Sequence, residues 1–253
     1  MSNDEYSLIY WPAIPGRGEF VRLLFEETGT PYSDVAKSSP QDAVSQILEL
    51  NAAVDPISSG SNPSVNAPPI LRHGSFVISQ TPAILLYLAP RLGLSPPPTE
   101  LAYHHLNAIA LTLLDGFVAE VHDTHHPTDV SLTYEEQKPE ALKRAKAYRE
   151  KRIPKFLGYA QRVLDSKASG DGPWLYGDSL TYVDLVLFQC IHGTEFAFPK
   201  TIEELRKSGK YDAVFKLVDA VEERPNIEAY LASDRRAQYS NGIWRHYPEL
   251  DEA

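Results

Sequence analysis

A chain of 253 residues, 43% hydrophobic and 23% charged, is long enough to bury a substantial core and too apolar to be disordered. Its 24 Lys+Arg against 34 Asp+Glu give a net charge of -10, which argues against nucleic acid or an anionic membrane as the principal partner. The single cysteine, Cys190, excludes an internal disulfide. The acidic N-terminus lacks the pattern of a signal peptide, and no apolar run approaches the ~20 residues that span a bilayer, so a cytoplasmic location is expected.

Residues 6–11 are rich in strand formers and stop at Pro12. After a loop at 13–16, the apolar residues Phe20, Val21, Leu24 and Phe25 recur at helical spacing over 17–27, and Gly29 with Pro31 ends that helix. A second strand is expected at 32–35 and a second helix at 41–50. Residues 55–66 form a polar loop with four serines and no assigned element. Residues 66–88 organise the first half. Two short strands, 70–71 and 76–78, meet at His73-Gly74, and a helix follows Ser79-Gln80-Thr81. Pro68 and Pro69 stand ahead of the first of these strands, where proline costs no ladder bond, and Pro82 sits in the first turn of the helix. The free amides of that helix start make a site for an anion.

The alternation of strands and helices predicts an α/β domain over 1–92, and the prolines of 93–98 a stiff linker. Strand signals then fade, so 99–253 is expected to be all-helical. Helical spacing covers 100–122 and 133–167, with Pro139 and Pro154 as boundaries or kinks. Thr181 and Asp184 form a capping box ahead of the apolar stretch 182–191, which reads as a buried central helix. Further helices are expected at 211–222 and 227–232. The tail carries Tyr239, Trp244 and Tyr247 and is expected to fold back.

Several stretches together resemble the cytosolic glutathione transferases of the tyrosine type, with the mu, pi and sigma classes nearest. LIYWPAIPGRGEFVRLLFEETG is similar to that family's first strand, active-site tyrosine and first helix; PPIL to its cis-proline segment; SQTPAILLYL to the segment holding the glutamyl end of glutathione; and GDSLTYVDLVLF to its capping-box helix. The resemblance implies a thioredoxin-like α/β domain followed by an all-α domain, and a homodimer that conjugates glutathione to small hydrophobic electrophiles in detoxification. A glutathione-dependent peroxidase or isomerase, or a non-catalytic binding or scaffold protein of the same fold, is the alternative. No cofactor is implied beyond glutathione as co-substrate, and no metal.

The resemblance assigns Tyr10 as the hydroxyl donor to the glutathione sulfur. Trp11, Arg17, Pro68, Pro69, Gln80 and Thr81 would bind the tripeptide, with Pro69 the cis proline and Lys37 a weaker candidate for the glycyl carboxylate. Asp115 would meet the glutamyl amine in a neighbouring subunit. The loop after Tyr10 is one residue longer than in the common classes, so Arg17 is open between glutathione, a subunit contact and solvent. The 55–66 loop is also longer. For His122, His125 and His126 three readings stand: a polar helix end, a share of the electrophile pocket with Trp244, or a metal site, which the absence of HExxH and of an evident third ligand argues against. Cys190, inside the apolar helix, reads as a packing residue.

Overall fold

The computed structural model describes residues 5–56 and 61–252. Its chain divides into two compact units, Met1–Pro96 with Pro225–Gln238, and Pro97–Arg224 with Tyr239–Ala253.

In the first unit, β1 (Tyr6–Ile9), β2 (Tyr32–Asp34), β3 (Ile70–His73) and β4 (Phe76–Ser79) form one sheet in the order β2-β1-β3-β4. β1 runs parallel to β2 and antiparallel to β3, and β3 pairs antiparallel with β4. A tight turn suffices for the β3–β4 hairpin, whereas the parallel β1–β2 pair needs the helix between them, α1 (Glu19–Thr28). The short α2 (Val35–Ser38) and α3 (Pro40–Ala52) follow β2, and α4 (Thr81–Leu88) follows β4. Ile9, Ile70 and Val77 pack against Ala43 and Ile47 of α3. Leu8 points to the other face by the strand period of two and is also fully buried, so the sheet is covered on both sides. This is a thioredoxin-like arrangement. Of the 55–66 loop, residues 57–60 lie outside the described residues; Asn62 pins the remainder, its side chain donating to the Ser75 carbonyl and accepting from the Val77 N–H, both at 2.9 Å.

The segment Pro225–Gln238, which the sequence assigns to the helical half, groups with this first unit. Its helix, α12 (Pro225–Leu231), packs on α1. Asn226 donates to the Glu27 carbonyl at 2.8 Å, and Tyr230 and Arg236 both donate to Glu19 at 3.0 Å.

The second unit is all-helical. α5 (Leu101–Leu111) passes through a π-helical turn, Thr112–Val118, into α6 (Ala119–His122). α7 (Lys138–Ala147) and α8 (Ile153–Leu164) are joined by another π-helical turn, Tyr148–Arg152. Pro154 lacks the N–H that a regular α-helix would use there, and the wider turn before it carries the chain on without a break. α9 (Tyr182–Ala197), α10 (Pro199–Lys207) and α11 (Asp212–Glu222) complete the unit, with α9 buried on nearly every side. Cys190 is buried within it and forms no disulfide.

The capping box at the start of α9 is present. The Asp184 carboxylate accepts from the Thr181 N–H at 2.7 Å, the Thr181 hydroxyl at 2.8 Å and the Leu175 N–H at 2.7 Å, tying the 174–177 loop to the helix. Burial pushes its pKa up to about 6 against the pull of those donors. Asp184→Ala strands two buried amides; a loss of about 2–4 kcal/mol in urea unfolding at pH 7 is expected, and a variant with an unchanged midpoint would contradict it.

The tail does fold back within this unit. Tyr239 accepts from Gln189 at 3.0 Å, Tyr247 stacks on Tyr134 at 3.8 Å between centroids, and Trp244 lies so close over Gly193 that a Cβ there would come within 2.3 Å of the indole. Asp251 accepts from the Lys200 and Thr201 amides at 2.7 and 3.2 Å, placing a negative charge at the N-terminus of α10.

Candidate functional site

Strand register places the site. Ile9 pairs with Ile70, and Ile70 with Ser79. One step further along the same register come Tyr10, Pro69 and Gln80, so three of the expected site residues stand at one end of the sheet.

Tyr10 leaves β1 under a turn of backbone. The chain passes through Ala13 and Gly16, both at positive φ (62° and 46°), into a 3-10 turn at Gly16–Gly18 that leads into α1. A Cβ on Gly16 would lie 2.3 Å from the Tyr10 hydroxyl oxygen, and one on Gly18 2.7 Å from Cγ, so only glycine lets the turn close over the ring. The phenol oxygen accepts the Arg17 N–H at 2.8 Å. Tyr10 is 6% exposed. Burial raises its pKa above the usual 10, while the Arg17 N–H and the charges of Arg22 and Arg17 pull the other way. The group is therefore a neutral phenol at physiological pH. With the backbone donating to its oxygen, its own proton is left to give to another acceptor.

Around it, Trp11 is 37% exposed, and Arg17 is half-buried. The Pro68–Pro69 peptide is cis, and Pro69 is buried. Gln80 precedes α4 with φ 74° and ψ 117°, an unusual conformation for a residue other than glycine, and is exposed. Thr81 is 1% exposed, and its hydroxyl oxygen is buried without a hydrogen-bond partner among the described residues. An orphaned buried hydroxyl beside the open amides of a helix start is a place prepared for an acceptor group. Lys37 donates to the Asp234 carbonyl at 2.9 Å.

Behind the turn lies a charge network that apolar periodicity did not reveal. Arg22 donates to the Pro15 carbonyl at 3.2 Å, to Glu19 at 3.3 Å and to Asp34 at 2.6 Å. Its guanidinium carbon stands 5.8 Å from the Tyr10 ring centroid. Glu19 is fully buried and also receives Arg236 and Tyr230. Burial works against the charge on Arg22, and Glu19 and Asp34 more than offset it. The available sequence signal was a Glu-x-x-Arg pair inside an otherwise apolar helix.

In the helical unit, Asp115 is exposed in the π-helical turn. The adjoining Gly116 sits against Phe156, where a Cβ would come within 2.6 Å of the ring. His122 and His126 are half-buried and His125 is 1% exposed. The chain turns after α6, with the His125 and His126 amides both directed at the His122 carbonyl at 3.3 Å, and so gathers the three rings. His125 Nε2 donates to the Ile243 carbonyl at 2.9 Å. Burial lowers its pKa to about 3, helped by His122 and Arg245 and opposed by that carbonyl; His126 is also lowered, again chiefly by burial. Trp244 is 1% exposed, within the core of the unit.

A family model described as "Glutathione S-transferase, C-terminal domain" matches residues 122–234. Over nearly its whole length the chain is similar to Glutathione S-transferase Mu 3 of Mus musculus, 27% identical over 90% of this chain and 91% of the relative. The matches liken the chain to the glutathione transferases. A glutathione S-transferase of Plasmodium yoelii yoelii is also similar, 20% identical over 88% of this chain and 92% of the relative. Its fold matches the solved Pi-class glutathione S-transferase of Onchocerca volvulus with a TM-score of 0.63, at 20% identity over 91% of this chain and 92% of that one. The sequence likeness includes the mu type, and the likeness to the pi-class structure is one of fold. No described helix is long and apolar enough to cross a membrane.

Proposed function

We propose that this transferase activates glutathione as the thiolate through the Tyr10 hydroxyl and conjugates it to small hydrophobic electrophiles. The observation that carries the reading is the Arg17 N–H on the Tyr10 oxygen, at 2.8 Å, which leaves the phenol proton as the donor. An ordinary cysteine thiol, with a pKa near 8.5, is only about 3% ionised at pH 7. One hydrogen bond to a charged group contributes about 1.5–3 kcal/mol, enough to lower such a pKa by roughly one to two units. Holding the two reactants together supplies the rest of the rate.

Thr81 and the α4 amides take the glutamyl carboxylate, with Gln80 beside them. The backbone at Pro68 and Pro69 orients the cysteinyl part, and Trp11 and Arg17 border it. Asp115, exposed in its turn, is assigned to the glutamyl amine bound in a second copy of the chain, which makes a homodimer part of the proposal. On the electrophile side, His122 is the half-buried member, and His125 and Trp244 shape the helical unit behind it. The single cysteine, Cys190, buried and in no disulfide, is compatible with the reducing cytoplasm, where glutathione is abundant and electrophiles are detoxified.

The test is the ultraviolet thiolate absorbance of glutathione bound to the protein, followed from pH 5 to 9, together with conjugation of an aryl halide. Thiolate at neutral pH and turnover are expected; glutathione that binds with the titration of the free thiol would overturn the reading. Thr81→Val is expected to weaken glutathione binding about tenfold with kcat little changed, because the hydroxyl acts equally in the ground and transition states. Steady-state kinetics in varied glutathione checks it.

A further inference from the structure

The helical unit gathers three histidines whose grouping goes beyond the electrophile-side role proposed above for His122 and His125. We infer that His122, His125 and His126 form a binding site for a divalent transition-metal ion of the zinc type. Each ring offers one nitrogen, and the three ligand atoms lie within 4.8 Å of one another. The rings are mutual neighbours: His122 and His125 centroids are 4.9 Å apart at 65°, His125 and His126 4.7 Å apart at 86°, and His122 and His126 5.4 Å apart at 22°. A tetrahedral ion with bonds of about 2.0–2.1 Å spaces its nitrogens by about 3.4 Å. The separations here run from 2.5 Å, between the Nδ1 atoms of His125 and His126, to that upper bound, so they bracket the required spacing. Small rotations of the half-buried His122 and His126 rings complete the fit.

The orientation of His125 is that of a ligand. Its Nε2–H is given to the Ile243 carbonyl, which fixes the tautomer and leaves Nδ1 as an acceptor; that lone pair takes the His126 Nδ1–H at 2.5 Å, a place an incoming ion takes over as the His126 proton moves to its Nε2. Metal-binding histidines are held by this kind of outer hydrogen bond. Arg245 lies near enough for its charge to act on His125 and His126, so the field alone does not attract a cation. Coordination by nitrogen must hold the ion. With no carboxylate among the three ligands, the set suits zinc, cobalt, nickel or copper and not magnesium or calcium. Three protein ligands leave a fourth position open to water or another small donor.

The test uses full-length protein without a histidine tag, titrated with cobalt(II) chloride and followed by visible absorption. One equivalent per chain with the intense bands of four-coordinate cobalt is expected, displaced by zinc chloride and insensitive to excess magnesium chloride. His122→Gln and His126→Gln should each abolish the bands with near-ultraviolet circular dichroism unchanged, since both residues are half-buried. His104→Gln, at an exposed helix position, should leave them intact. Zinc should also raise the thermal midpoint of the wild-type protein, as any ligand of the native state does. Absence of a stoichiometric cobalt complex, persistence of the bands in both cluster variants, their loss in His104→Gln, or a thermal midpoint indifferent to zinc would overturn the inference.

Discussion

Replacing Tyr10 with phenylalanine will raise the pKa of bound glutathione by roughly one to two units and slow conjugation at pH 7 by about ten- to a hundredfold. The ring stays: Phe fills the same space under Gly16 and Gly18 and adds no atom that either glycine would meet. What is lost is one donor to the sulfur, and the Arg17 N–H loses its acceptor. The effect therefore falls on the thiolate and appears in both the titration of bound glutathione and the pH–rate profile. The sign follows from which group titrates. Rate rises with pH as the thiol ionises, so in the wild-type protein the ascending limb lies below about pH 8.5, and in Tyr10→Phe it moves up. Burial holds the Tyr10 phenol above its ordinary 10, so its own ionisation imposes no descending limb in the neutral range. At pH well above the shifted thiol pKa the two proteins converge in rate, because hydroxide then does the work of the missing hydrogen bond. A variant with an unshifted thiol titration would remove Tyr10 from the chemistry.

Much of this site could be read before folding because its parts are local. Alternation and the Pro/Gly punctuation fix the short strands, and once β1, β3 and β4 are paired the register alone carries Tyr10, Pro69 and Gln80 to one edge. The capping box of α9 was legible for the same reason, being contained within four residues. Other features depend on geometry that residue spacing does not encode. A π-helical turn such as Thr112–Val118 inserts a single extra residue per turn, which a helical periodicity count absorbs without notice. α10 carries no local signal, because its polar sequence is capped by Asp251, some 50 residues away. Spacing leaves His125 open between a polar helix end, the electrophile pocket and a metal site; only the turn after α6 and the Ile243 carbonyl give its ring a direction. The placement of Pro225–Gln238 with the α/β unit rests on pairings such as Glu19 with Arg236, at a sequence separation of 217 residues, which no local pattern contains.

That pairing leads to the largest stability effect expected in the molecule. Glu19 is fully buried between Arg22 and Arg236, with the Tyr230 hydroxyl on the same carboxylate. Glu19 and Asp34 together balance the two arginines. Glu19→Gln keeps the shape and removes one charge, so a buried arginine is left uncompensated and an amide N–H₂ is presented to a guanidinium. A loss of about 3–5 kcal/mol is expected in urea unfolding. Removing Arg236 as well should recover part of it, since the second charge no longer needs a partner; a double-mutant cycle of Glu19→Gln with Arg236→Leu would read that coupling directly. The loss should also be felt at the site. Arg22 divides its donors between Glu19, Asp34 and the Pro15 carbonyl, and the Pro15 carbonyl in turn accepts the Glu19 N–H at 3.0 Å at the start of α1. Releasing Arg22 from Glu19 loosens the turn that brings the Arg17 N–H onto Tyr10. In the folded fraction of Glu19→Gln the bound thiol should therefore titrate higher than in wild type, by less than in Tyr10→Phe because the phenol is still present. If the network only glued α12 to α1, stability would fall and the thiol titration would not move.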